Sequence, residues 1–220
     1  HQQVFGRAHA TVAVLNIGGI SNLSVIQGTG PDASVRGWDC GPGNVLMDLW
    51  CQRHLNQPYD AHGAWAASGQ VLPELLSRLR EEPFFQTSPP KSTGRDLFHA
   101  AWLDAHVQPF ADAQPQDVQA TLTALTAQVC AAELQRHAPD ARELLVCGGG
   151  ALNDHLMTLV SHTLPNVAVR STQSRGLPPL QVEATAFAWL ARQCVRRQHG
   201  NLPSVTGARG PRVLGAIYPR

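Results

Sequence analysis

Ala13-Val14-Leu15-Asn16-Ile17-Gly18-Gly19-Ile20-Ser21-Asn22-Leu23-Ser24-Val25-Ile26 sets two apolar runs on either side of a turn carrying Gly18 and Gly19. Runs of this length, rich in Val, Ile and Leu, read as buried strands. The turn lacks side-chain bulk at two successive positions, so backbone amides can approach an anion closely, as glycine-rich turns do around phosphate. A second run follows the same logic far downstream: Leu144-Leu145-Val146-Cys147, then Gly148-Gly149-Gly150 ahead of a helix. Strand, glycine turn and helix make a nucleotide-binding arrangement when the helix start faces the ligand.

Outward from this stretch, residues 11–17 and 22–27 read as a strand pair and 34–38 as a third strand. Asp39-Cys40-Gly41-Pro42-Gly43-Asn44 reads as a turn into a helix over 44–55. Residues 56–67 read as loop. Residues 69–82 read as a helix with Val71, Leu75, Leu76 and Leu79 as its buried stripe, and 83–94 as loop again. Asp96 is the expected cap of a helix running to about residue 107. Pro115 suits the first position of a long helix, in which Val118, Leu122, Leu125, Val129 and Ala132 recur at helical spacing and predict an amphipathic element. A strand at 143–147, a helix at 151–164, a strand at 167–171 and a helix at 181–197 follow. The tail carries loop signals at Pro203, Gly207, Gly210, Pro211, Gly215 and Pro219. Three strands, then helices, then alternating strand and helix fit an α/β class: a ribonuclease-H-like half of an actin-like ATPase fold. The expected form is a mixed sheet flanked by helices with a helical insertion near 56–110. An eight-stranded barrel would need more strands.

The 220 residues suffice for one large domain or two small ones, and the formal net charge of +1 gives no reason to expect nucleic acid or an acidic membrane as partner. No apolar run reaches the length of a membrane span. Cys40, Cys51, Cys130, Cys147 and Cys194 are odd in number and without CxxC spacing, so reduced, mostly buried thiols of a cytoplasmic protein are expected. No secretory signal pattern is present. The chain begins with His1, with strand-like sequence by Thr11, and reads as a piece of a longer protein. The ten histidines form no HExxH pair, and there is no GxSxG elbow. No residue is singled out as a metal ligand.

Each constellation has two readings. The Asn16–Gly19 turn either offers amides to nucleotide phosphates or is a tight hairpin needing glycine for positive φ. Asn16 stands where actin-type sugar kinases often carry Asp, and it adds no charge for a metal. Asp39 either meets a magnesium-bound water or a sugar hydroxyl, or is a turn residue. Gly148, Gly149 and Gly150 either leave bare backbone for an adenosine or phosphate, with Asn153 reaching base or ribose, or allow close helix–strand packing. In Lys91-Ser92-Thr93-Gly94-Arg95, Lys91 and Arg95 steer an acidic ligand and Thr93 bonds a sugar, or the segment is a solvated helix start. The GxxxxGK[ST] pattern is absent. Glu183, expected to be partly buried, either faces a cleft or serves the helix dipole.

Seven runs occur in order from about residue 12 to the end: LNIGGISNLSVI, WDCGPGNVLMD, YDAHGAWAASG (Tyr59–Gly69), PPKSTGRDLF, VCGGGALN, LPPLQVEATAFAWLA and the tail LPSVTGA with VLGAIYP. Together they resemble the anhydro-N-acetylmuramic acid kinase family, bacterial cytoplasmic sugar kinases of the actin, Hsp70 and hexokinase superfamily. The resemblance implies cleavage of the 1,6-anhydro ring by water and phosphorylation of O6 with ATP and Mg2+, in peptidoglycan recycling, by two-domain homodimers. It implies that residues 1–220 form the C-terminal domain. The family's GTSxDGxD loop and the DxRxxDxAxGGxGAP segment, whose second Asp is the general base, would precede His1. By carry-over, Asn16, Gly18 and Gly19 meet phosphates, and Gly148, Gly149, Gly150 and Asn153 the adenosine. Glu183 lines the sugar side in a supporting role. Asp39, Lys91, Thr93 and Arg95 are substrate-binding candidates from the chemistry of the residues themselves, not by carry-over. His62 stands where the family usually has Asp or Asn. The competing readings are another actin-fold sugar kinase and a non-catalytic nucleotide-binding or dimerisation module.

Overall fold

The computed structural model describes residues 1–30 and 33–218, and Pro219 of the tail lies outside the described residues. Five strands, β1 (Thr11–Ile17), β2 (Ile20–Gln27), β3 (Ser34–Pro42), β4 (Glu143–Cys147) and β5 (Ala168–Ser171), form one mixed sheet in the order β3-β2-β1-β4-β5. β1, β2 and β3 pair antiparallel, whereas β4 and β5 run parallel to β1. The helices are α1 (Gln2–Phe5), α2 (Val45–Leu55), α3 (Ala64–Ser68), α4 (Pro73–Arg80), α5 (Ala100–Val107), α6 (Pro115–His137), α7 (Asp154–Thr163), α8 (Val182–Val195) and α9 (Pro203–Thr206). Helices cover both faces, so the central strand β1 is buried on both sides and needs apolar residues at successive positions. Ala13, Leu15, Ile17, Leu144 and Val146 pack beneath α2, α4, α5, α6 and α7. Val12, Val14, Leu145 and Cys147 face the other way with Phe5 and Val182. This is the ribonuclease-H-like sheet, with α3, α4 and α5 as the helical insertion between α2 and α6. No helix among the described residues is long and apolar enough to cross a membrane.

Several elements depart from the pattern read from sequence. β3 does not stop at residue 38 but runs through Pro42, because a bulge at Ser21/Asn22 leaves Cys40 extra and lets the strand bend into α2. Residues 56–67 are not all loop, since the Asp60 carboxylate accepts from the Trp65 and Ala66 amides at 2.9 Å and starts α3. The helix placed at 69–82 begins only at Pro73, so Val71 is exposed, while Leu75 and Leu79 are fully buried. Asp96 caps no helix: α5 starts at Ala100, where the His99 ring accepts from the Trp102 amide. α6 has the expected length but no polar face along its middle. Gln119, Thr121, Thr123 and Thr126 are buried with the apolar stripe, and the threonine hydroxyls bond to backbone. Thr126 donates to the Gly43 carbonyl at 2.9 Å, tying α6 to the turn that leads into α2.

Candidate functional site

The parallel pairing of β1 with β4 sets Asn16 beside Cys147. The two glycine turns that follow these residues therefore lie next to each other at the carboxyl ends of adjacent parallel strands. Open α/β sheets place ligands at such ends. Pro179 adds a third wall: its carbonyl accepts from the Gly148 amide at 3.1 Å, bringing the start of α8 to the same place. Asn44 bridges the two turns. Its Nδ2 donates to the Ile17 carbonyl at 3.1 Å and lies 3.3 Å from where a Cβ on Gly149 would stand.

The turns differ in why they need glycine. Gly148 has φ +80°, and a Cβ there would lie 2.5 Å from Asn16 Oδ1 and 2.6 Å from the Ile17 carbonyl oxygen. A Cβ on buried Gly150 would lie 2.4 Å from Ile17 Cγ2. Close packing thus accounts for these two positions. Gly149 is exposed between them. At Gly18 and Gly19 the backbone is not left-handed, which overturns the positive-φ reading of the hairpin. Nothing approaches a Cβ there closer than 3.6 Å at Gly18 or 3.4 Å at Gly19. The turn's carbonyls face α2, accepting from the amides of Gly43, Asn44 and Val45 at 2.8–3.1 Å.

The remaining sequence candidates separate. Asn153 is the N-cap of α7, its Oδ1 accepting from the Leu156 amide at 2.9 Å. Asp39 accepts from Ser92 Oγ at 2.8 Å and the Thr93 amide at 2.9 Å. Thr93 Oγ1 is buried without a partner. Arg95 is exposed, with its guanidinium over Gly19. Lys91, expected to meet an acidic ligand, is turned inward instead. Its ammonium is 2.9 Å from Glu133 Oε1, donates to the Phe84 carbonyl at 3.3 Å and lies over the Phe84 ring. A buried ammonium needs a carboxylate, and Glu133 on α6 supplies it. Glu183, expected to be partly buried with a partner, is exposed in the first turn of α8 and has no ion-pair partner among the described residues.

Three residues that the sequence reading passed over belong to this region. Asn44 stood in the quoted GPGN run, and its helix-start position gave the signal. Asp48, in the first turn of α2, has its carboxyl pushed up to about 6 by burial, against the pull of the Arg95 guanidinium. Glu133, inside an apolar helix, gave little signal of a distant partner, because Arg136 and His137 stand at helical spacing from it and lie 3.5 and 3.6 Å from its carboxylate. The His62 segment also reaches the site: His62, at φ 59°, has Nδ1 2.9 Å from Asp154 Oδ2, and Gly63 packs against Asn153. Burial pushes the Cys147 thiol up to about 11, so it is protonated and unreactive beside the turn. Among the described residues no three His, Cys, Asp or Glu side chains converge as a metal cluster.

A mixed five-stranded sheet with glycine turns closing two adjacent parallel strands, and helices on both faces, has the architecture of the actin-like ATPase fold class. The chain belongs to the anhydro-N-acetylmuramic acid kinase family, which matches residues 1–220. It is 61% identical over 221 residues to the anhydro-N-acetylmuramic acid kinase of Variovorax paradoxus (strain S110), covering all of this chain and 59% of that protein. The kinase of the same name from Cupriavidus metallidurans is 57% identical over 222 residues, covering 100% of this chain and 58% of that protein. The one from Albidiferax ferrireducens is 53% identical over 239 residues, covering 100% of this chain and 61% of that protein. The chain thus spans about three fifths of the curated relatives it matches.

Proposed function

We propose that this chain is the C-terminal domain of a bacterial, cytoplasmic, ATP-dependent sugar kinase. The complete protein would open the anhydro ring of 1,6-anhydro-N-acetylmuramic acid with water and phosphorylate O6 in peptidoglycan recycling. The single observation that carries this reading is the Asn16–Cys147 pairing, which joins the two glycine turns into one half-site. Phosphoryl transfer needs chiefly positioning and charge stabilisation, and both turns supply fixed backbone for it. Gly18 and Gly19 are not crowded by backbone, and the nearest group at Gly19 is the Arg95 guanidinium, an arrangement that suits nucleotide phosphates. Exposed Gly149 and the free edge of the Asn153 amide suit the adenosine, and Asn16 orients the phosphate turn. Glu183, exposed in the first turn of α8, suits a sugar hydroxyl. When bound, the nucleotide supplies the phosphoryl group and carries Mg2+ on its phosphates, the usual state of that ion in kinases. The general base is expected N-terminal to His1, and the family resemblance implies a homodimer.

The test is a coupled ATP assay on the complete gene product with the anhydro sugar, run beside residues 1–220 alone. The complete protein is expected to turn over and the isolated domain to show little or none. Full turnover by the isolated domain, or none by the complete protein, would refute the reading. A non-catalytic module would instead bind ADP without turnover. Ligand at 100 times Kd adds about 2.7 kcal/mol to stability, enough to see by thermal shift.

A further inference from the structure

The segment from Lys91 to Arg95 is tied down residue by residue. Lys91 is anchored on Glu133 at 2.9 Å, and the other oxygen of Glu133 accepts from Trp38 Nε1 at 2.7 Å. The Asp39 amide donates to the Lys91 carbonyl at 3.2 Å. The Asp39 carboxylate holds Ser92 and the Thr93 amide at 2.8 and 2.9 Å. Asp39 of β3 and Glu133 of α6, the latter itself held by Trp38, therefore fix three successive residues of an otherwise irregular stretch. A buried ion pair contributes little net stability, because desolvation offsets the attraction, yet it specifies where its chain segments sit. Two residues further on, the free end of this arm is Arg95. Its Nη2 and Nε lie 3.4 and 3.7 Å from the Cβ position of Gly19, and it forms no ion pair among the described residues. Thr93 Oγ1, two residues before it, is buried and unpartnered. A planar guanidinium packed against a bare glycine turn is suited to an oxyanion that sits alongside and touches both.

We infer that residues 91–95 form a preset oxyanion arm. Arg95 contacts an oxyanion seated at the Gly18–Gly19 turn, and Glu133 is a positioning residue that holds the arm through Lys91. The inference rests on the kinase reading of that turn. Two oxyanions meet the description: the phosphoryl group of the nucleotide and the carboxylate of the muramic acid.

The experiment uses the complete gene product. Arg95→Ala is expected to keep the parent's thermal midpoint and to lower kcat/KM by about 100-fold, the usual cost of losing one charge-stabilising contact. Arg95→Lys should restore part of it. A loss confined to kcat or to ADP affinity assigns the arm to the phosphoryl group. A loss of affinity for the sugar alone assigns it to the carboxylate. Parental turnover and parental affinity for both would overturn the contact. The double variant Lys91→Met with Glu133→Gln leaves no lone buried charge and keeps an acceptor for Trp38. It is expected to fold and to lower kcat about 10-fold with ADP affinity unchanged. Lys91→Arg, which keeps the charge but moves the root of the arm, is expected to act in the same direction. Parental kcat in the folded variants would overturn the positioning role. Absence of turnover by the parent protein would sink the kinase reading instead, and the ADP titration of Arg95→Ala would still test the arm.

Discussion

The two glycine turns look alike in sequence and answer to different physical demands. Around Gly148 and Gly150 the protein itself fills the space a side chain would occupy, and Gly148 also has a left-handed backbone. Around Gly18 and Gly19 a side-chain carbon would meet its neighbours only at ordinary contact distance, and the backbone needs no unusual φ. One turn is bare so that two strands and a helix can close together. The other is bare toward whatever enters the half-site. Glycine by itself therefore reports close approach, and only the neighbours reveal whether a ligand or the protein approaches.

Substitution breaks or sharpens this contrast. The largest effect is expected for Gly148→Ala, where positive φ and contact with the Ile17 carbonyl combine to cost about 3 kcal/mol or more. The urea midpoint measures it. Gly150→Ala should follow at about 2 kcal/mol, since Ile17 is branched at the contact and has little freedom to yield. Gly19→Ala should change stability by less than about 1 kcal/mol, because its Cβ meets the side-chain end of Arg95 and Val45 Cβ only at ordinary contact distance. The same variant should lose ADP affinity in a calorimetric titration. Comparable destabilisation at Gly19 and Gly150 would erase the distinction between the turns.

The smallest effect concerns Asp48, on the helix whose start the open turn caps. Its carboxyl sits near 6 in the folded protein against an ordinary 3.8. The folded state thus holds this proton more tightly than the unfolded chain, so stability falls as pH rises from about 4 to about 6. Asp48→Asn should be the more stable form at pH 7, with a modest margin because the carboxyl is only half buried. The two proteins should converge below about pH 4. Urea midpoints at both pH values check it, and a wild type more stable than the variant at pH 7 would contradict the assignment.

Strands β1, β2, β4 and β5 and the extent of α6 were legible because buried apolar runs and helical spacing are local signals. The end of β3 was not. Gly41-Pro42-Gly43 has turn chemistry, and only pairing with β2 through a bulge keeps it in the sheet. α3 was missed because five residues carry no period, and the carboxylate that accepts from its first amides, Asp60, lies several residues earlier in the chain. In the site, the glycine turns were visible as motifs, and so was the segment bearing Arg95. Lys91 was misread because a lysine in a polar stretch looks solvated, while its partner lies 42 residues on, in α6. Glu183 was misread in the opposite sense, since apolar neighbours in sequence need not enclose a side chain in space.

The sequence by itself determined the class of sheet, the long central helix, the family and the two glycine turns, all of which follow from neighbours along the chain. Tertiary structure alone decided that the turns meet, that Asn44 bridges them, that Lys91 belongs to Glu133, and that Arg95 comes to rest over Gly19. Those facts depend on parallel pairing across more than a hundred residues and on which charge finds a buried partner, and no local pattern encodes either.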